Sequence, residues 1–411
     1  MRSLIVRAAR AAGWIVVGVI VIVIGQPARL SAAQDTAPAE VSEAQARAFA
    51  AELERNAIRG DMGKLNAQID WEAILAESVR GIEVSDSLRE NFLKGARSGL
   101  EKSSSLGGTI IAQVKAGSSY RLLRTRLRGK RRTALMRLAF PHAKGVNYHE
   151  YSLEPGPDGQ VRAVDVYLFL AGELVSQTIR HGYATIAAQE NRGVLDRLFG
   201  GSPDYLGSLA KVPEMRRLAD ADKAREAREI YDKLPSAVQD DKNFLLLRLL
   251  IAQQLGNTDY SATLERIRKL LPNDPFGDAA SIDGYTLLGQ YDKALGAIDR
   301  FEKAVGGDPY QNVIRVGILT KAGRLDEARE SARAAVAGVP GLVQCYWVLL
   351  SVALEMNDHA LTLTTLEQMN EKFHIKFKDL TTVSGYARFV KSPQFEEWKS
   401  YIEKKKPKTQ P

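Results

Sequence analysis

The sequence predicts two domains of different class: an α+β domain of helices followed by a four-stranded antiparallel sheet, then an all-α domain of repeated helix pairs. Three observations carry this. Between Tyr120 and Leu170 apolar residues recur at every second position, the period of a strand, whereas on both sides of that segment they recur at helical spacing. Inside the segment, Pro155-Gly156-Pro157-Asp158-Gly159 is a dense turn signal between two such runs. Further along, Gly289-Gln290-Tyr291-Asp292-Lys293-Ala294 and Gly323-Arg324-Leu325-Asp326-Glu327-Ala328 match at a shift of 34 residues, the mark of an internal repeat.

The elements of the first domain follow in order. Val41 to Ile58 places Ala46, Phe49, Leu53 and Ala57 at helical spacing. Ser42 with Gln45 makes a capping box, in which each side chain satisfies the other's free backbone N–H. Gly60-Asp61 breaks that helix. Trp71 to Val79 gives a second helix and Ser85 to Leu100 a third, capped by Ser85 or Asp86. Gly107-Gly108 reads as a turn. Four strands come next: Tyr120 to Arg128, Arg131 to Phe140, Val146 to Leu153 and Val161 to Leu170. Gly129-Lys130 turns the first pair and the Pro155 to Gly159 segment the last. Alternation puts Ala134, Met136, Leu138 and Phe140 on one face, and Val164, Val166, Leu168 and Leu170 on another. Leu174 to Arg180 reads as a short helix, with a fifth strand as the alternative.

At 411 residues, 45% of them hydrophobic and 26% charged, the chain has material for two cores and lacks the bias of a disordered one. Arg2, Arg7 and Arg10, the apolar run from Trp14 to Ile24 and the small residues of Leu30-Ser31-Ala32-Ala33 predict a signal peptide over residues 1–33. The apolar run is shorter than the ~20 residues that span a bilayer; an uncleaved anchor is the other reading. Either way the folded part is expected to be exported, periplasmic or secreted, with membrane contact only through an uncleaved N-terminus. The formal charge of +8 falls to +4 without the four arginines of that segment, too little for a nucleic-acid footprint. Cys345 is the single cysteine, so no internal disulfide forms, and its run Leu342 to Leu350 predicts burial. The expected divisions are a spacer over 34–40, the α+β domain over 41–195, a linker over 196–212, the repeats over 213–403 and a polar tail over 404–411.

Candidate chemistry is sparse. His149 and Tyr151 share a face of one strand; Asp165 and Tyr167 share a face of its neighbour. Proton transfer needs a carboxylate or imidazole with a donor such as tyrosine nearby, so these four mark the best place for a ligand pocket. Ordinary cross-strand pairing explains the same residues. The run Arg121, Arg124, Arg126, Arg128, Lys130, Arg131, Arg132 and Arg137 suits an anionic ligand or a membrane surface, or else a solvated sheet face countered by Glu150 and Asp165. The histidines His142, His149, His181, His359 and His374 are scattered. No zinc-binding spacing, phosphate loop, dinucleotide fingerprint or nucleophile elbow is present. The sequence therefore predicts no metal, no cofactor and no catalytic residue.

The repeat region resembles the tetratricopeptide repeat. Gly289 and Gly323 fit that family's tight turn between helices, Tyr291 and Leu325 the apolar residue after it, Ala294 and Ala328 the small residue where paired helices approach, and Pro340 the closing proline. Asp222-Lys223-Ala224 and Asp358-His359-Ala360 repeat the Asp-x-Ala pattern, and a degenerate copy lies around Asn257 to Leu264, with Pro272. Pro235 and Pro309 also fall near helix ends, and Tyr386 to Tyr401 looks like a terminal capping pair. Over roughly residues 41–190, the order of elements resembles the nuclear-transport-factor-2-like (cystatin-like) fold. There Ala57-Ile58-Arg59-Gly60-Asp61 followed by Ile69-Asp70-Trp71 looks like the helical entry. The first resemblance implies a scaffold that holds a protein or peptide on a concave wall lined by the first helix of each pair. The second implies, as the alternative, a small-molecule or lipid pocket in the first domain.

Overall fold

A computed structural model describes residues 40–100, 102, 105–141, 145–190, 207–208, 210–272 and 274–405. The expected signal peptide, most of the spacer and of the linker, His142 and residues 406–411 of the tail lie outside the described residues. An N-terminal α+β region with a five-strand antiparallel sheet is followed by a helical region. The first of two compact units comprises the described residues up to Ala139 and from Val146 to Leu288. The second comprises those of Phe140–Gly145 and from Gly289 onward. The first unit thus holds the sheet together with the first helices of the array.

In the first unit, α1 (Glu43–Arg59) starts on the expected box: Gln45 N donates to Ser42 Oγ at 3.2 Å and Ser42 N donates to Gln45 Oε1 at 2.9 Å. It stops at Gly60, whose φ of 71° is a left-handed stop. α2 (Met62–Ala67) follows, then α3 (Trp71–Val79), capped by Asp70, and α4 (Asp86–Leu100), whose Leu88 N–H is accepted by Ser85. The expected turn at Gly107-Gly108 is instead the first turn of α5 (Leu106–Lys115). A Cβ on Gly107 would stand 2.9 Å from Leu65 Cδ2 and 3.1 Å from Met62 Sδ, so this glycine lets α5 close on α2.

The sheet is a meander in the order β1-β2-β3-β4-β5. Its strands are β1 (Ser119–Arg128), β2 (Arg131–Ala139), β3 (Val146–Pro155), β4 (Val161–Leu168) and β5 (Glu173–Leu174). The fifth strand corrects the count of four. Leu168 O accepts from both Ala171 N and Gly172 N, and this tight turn lays Glu173 and Leu174 back against Leu168 and Tyr167. The helix expected there, α6 (Val175–Glu190), begins directly after. α1 packs on one face of the sheet, with the Phe49 and Tyr151 rings 5.8 Å apart. α3, α4 and α6 share a core of Leu75, Val79, Phe92, Tyr183 and Ala187. Residues Thr133 to Ala139 of β2 are all buried, so the strand is covered on both faces.

The array in this unit has α7 (Val212–Asp220), α8 (Ala224–Asp232), the single turn α9 (Ser236–Gln239), α10 (Lys242–Leu255), α11 (Asn257–Leu270) and α12 (Pro275–Leu287). Each packs on its neighbours, through Met215, Tyr231, Phe244 and Ile251, then through Leu245, Leu249, Leu264 and Phe276. The second unit has α13 (Tyr291–Val305), α14 (Gln311–Lys321), α15 (Leu325–Gly338), α16 (Val343–Met356) and α17 (His359–Phe373). Three short 3-10 turns then lead to α18 (Pro393–Lys405), which packs on α17. Here Val316, Leu319, Ala328, Ala332, Leu349 and Val352 form one core. Cys345 is buried, as its apolar run predicts. Among the described residues no helix is long and apolar enough to cross a membrane.

Candidate functional site

Strand register decides what the four pocket candidates can do. β3 pairs with β4 so that His149 faces Leu168, Tyr151 faces Val166, Ser152 faces Asp165 and Glu150 faces Tyr167. Paired residues share a face and neighbours along a strand do not. His149 and Tyr151 therefore lie on the face under α1, whereas Asp165 and Tyr167 lie on the opposite face. The expected single cluster is two separate ones.

Under α1 the polar groups form a chain. Asn147 Oδ1 accepts from Tyr148 N at 2.8 Å and from Leu170 N at 3.2 Å, which turns its amide nitrogen toward His149 Nε2, 3.1 Å away. Nε2 is then the acceptor, so the neutral ring carries its proton on Nδ1. From there it donates to Tyr120 Oη at 3.1 Å, and Tyr120 donates on to Tyr151 Oη at 2.7 Å. Tyr120, His149 and Tyr151 are 2%, 3% and 0% exposed, so these three are closed to solvent, whereas Asn147 is half-buried. Burial lowers the His149 pKa to about 4 and drives both phenols up. The result is a neutral, mutually satisfied network inside a core.

On the other face, Glu150 accepts from Arg126 Nε and Nη2 at 2.6 and 2.7 Å and from Thr133 Oγ1 at 2.7 Å, with Arg128 at 3.5 Å. Burial opposes its ionisation, but these bonds and charges prevail and hold its carboxyl below the usual range. Glu150 thus counters the arginine run as expected. Asp165 does not: it accepts from Val166 N at 2.8 Å and from both Ser176 N, at 3.2 Å, and Ser176 Oγ, so it caps the start of α6. Burial raises its pKa. Tyr167 is pushed up to about 12, first by burial and then by Asp274 and Glu173.

The described histidines stay apart. His181 lies 3.6 Å from Glu173, the His359 ring lies 6.1 Å from that of Phe389 at a tilt of 48°, and His374 ends α17 with a positive φ. Among the described residues no group of three His, Cys, Asp or Glu could hold a metal ion. Sequence reasoning missed Tyr120 and Asn147 as partners of His149, because their meeting depends on pairing across three strands. It also missed Lys242, whose Nζ donates to Gly172 O at 2.7 Å and to Asp274 at 2.6 Å and ties the end of the sheet to α10 and α12.

The repeat residues fall where their types require. The second helices of the pairs start at Ala224, Asn257, Tyr291, Leu325 and His359, spacings of 33 or 34 residues. Ahead of each start stands a residue with positive φ: Asp222, Gly256, Gly289, Gly323 and Asn357. Glycine, asparagine and aspartate are the types that accept that conformation. The fourth residue of each second helix is buried: Ala227, Tyr260, Ala294, Ala328 and Thr362. This corrects two alignments. Asp222-Lys223-Ala224 and Asp358-His359-Ala360 are out of step with Asp292 to Ala294, since Asp222 is a turn residue and Asp358 caps α17. Tyr291 and Leu325 open α13 and α15, and Pro340 lies in the turn after α15. Comparison with protein-family models, with curated proteins and with solved structures returns no match.

Proposed function

We propose that the protein is an exported interaction scaffold that holds a protein or peptide partner on its helical array. In this reading the array is tetratricopeptide-like and the first domain is nuclear-transport-factor-2-like. The observation that carries it is the common register of five helix pairs, each turning on a positive-φ residue. Such pairs cannot bury their apolar faces alone, so within each unit they stack and set first helices side by side where a partner could lie. The alternative of a small-molecule or lipid pocket built from His149, Tyr151, Asp165 and Tyr167 loses its basis, because the four lie on opposite faces of the sheet. The burial of Tyr120, His149 and Tyr151, bonded to one another, gives a catalytic reading no support.

The test compares the full chain with one ending at Leu288, both checked for the folded sheet by near-ultraviolet circular dichroism. After cross-linking in an extract of the source cells, one protein should be enriched by the full chain and lost with the shorter one. Equal recovery by both would place recognition outside the second unit, and partner cross-links that then avoid α7 to α12 would count against the scaffold reading.

A further inference from the structure

β1 closes one side of the sheet, with β2 as its sheet neighbour. It is ten residues long, and apart from Tyr120 none of them is buried. A long edge strand offers backbone N–H and C=O groups to another chain. Its side chains determine which chain fits.

The register of β1 carries an irregularity between Leu122 and Arg124. On one side of it Arg121 faces Arg137; on the other, Arg124, Arg126 and Arg128 face Leu135, Thr133 and Arg131. All four β2 partners are odd-numbered and share a face. The bulge therefore brings Arg121 into phase with the other three, and strict alternation would have set it on the opposite face. The outcome is a row of four arginines on one side of an edge strand. Arg121 and Arg128 keep 58% and 54% of their side-chain surface exposed, and Glu150 is shared between Arg126 and Arg128. Glu54 stands 3.5 Å from Arg121. On the opposite face Leu127 is 49% exposed and offers an apolar contact.

A second copy of β1 laid against this edge would set arginine against arginine, which is repulsive. An extended segment with carboxylates at every second residue meets the row in phase, because alternate residues of both strands rise by the same ~6.6 Å. We propose that the outer edge of β1 receives an acidic extended segment of a protein partner as a sixth strand. Its backbone pairs with β1, its carboxylates face the arginine row and its apolar residues lie beside Leu127.

The probe is a synthetic peptide of about ten residues alternating Glu and Val, titrated into the intact protein by fluorescence anisotropy. Its Gln-for-Glu counterpart should bind at least about tenfold more weakly, as should the acidic peptide to the double variant Arg121→Glu, Arg128→Glu. N-methylation of one alternate set of peptide amides should abolish binding to the unaltered protein, and methylation of the other set should be tolerated, because only one set faces β1. Four results would overturn the proposal: no binding of the acidic peptide, equal binding of the Gln peptide, indifference to both methylation patterns (an anion patch without strand addition), or a dimer of the protein that the Arg→Glu changes abolish.

Discussion

Tyr120, Tyr151, His149 and Asn147 show how a residue's surroundings set its chemistry. His149 has both ring nitrogens engaged, and protonating Nε2 would oppose it to the Asn147 amide. Its pKa falls from the ordinary 6.5 to about 4 because it is buried. The folded value lies below the unfolded one, so between these two values the unfolded state binds a proton that the folded state does not. Stability must therefore fall as pH drops from 6.5 toward 4, by about 3 kcal/mol for this residue. The variant His149→Gln, which keeps polar contacts but does not titrate there, should flatten that part of the profile in urea unfolding at pH 7, 5.5 and 4.5. An unchanged slope would remove His149 as its source. The sequence showed that His149 and Tyr151 share a strand face and that Asp165 and Tyr167 share another. It could not show that these faces are opposite, because the offset between β3 and β4 follows from pairing and includes a bulge at Ser152/Leu153.

Elements were legible where local chemistry sets them. The Ser42–Gln45 box, the Ser85 cap and the Gly129-Lys130 turn depend on residues a few positions apart, and each falls where it was expected. Elements defined by distant contacts were not legible. Gly107 looks like a turn until α2 is seen against it. Gly107→Val should cost about 1–3 kcal/mol by overpacking against Leu65 and Met62, read as a lower urea midpoint with an unchanged slope. A neutral effect would mean that α2 and α5 separate at little cost. The hairpins carry a second prediction. Gly323 has a φ of 73°, so Gly323→Val should destabilise the second unit by about 1–2 kcal/mol through left-handed strain. Asn357→Gly, at the equivalent turn, should be neutral or stabilising. If both changes behave alike, the positive-φ register is not what sets the turns. Two of the repeats were aligned out of step because Asp-x-Ala recurs by chance beside a turn residue and a cap. The helix starts, which reflect packing, give the true period.

At the scale of the molecule, the α+β domain and the first helices of the array form one compact unit, pinned by Lys242 to Gly172 and Asp274. A Cβ on Gly172 would stand 2.1 Å from Lys242 Nζ, so a side chain there would have to displace the lysine from this contact. Lys242→Met should speed amide exchange around Gly172 and lower stability by about 1 kcal/mol. Unaltered exchange would show that the core alone sets the join. The central claim is that the array holds the body of the partner, while the β1 edge of the sheet takes one extended segment at most. Lysine-directed cross-linking of the intact protein in an extract of its source cells, with the linked sites mapped by mass spectrometry, tests it most directly. The scaffold account predicts links from one partner concentrated on lysines of residues 212–405, among them Lys269, Lys293 and Lys321. Links confined to Lys64, Lys94 and Lys115 would contradict it and make the α+β domain the recognition element.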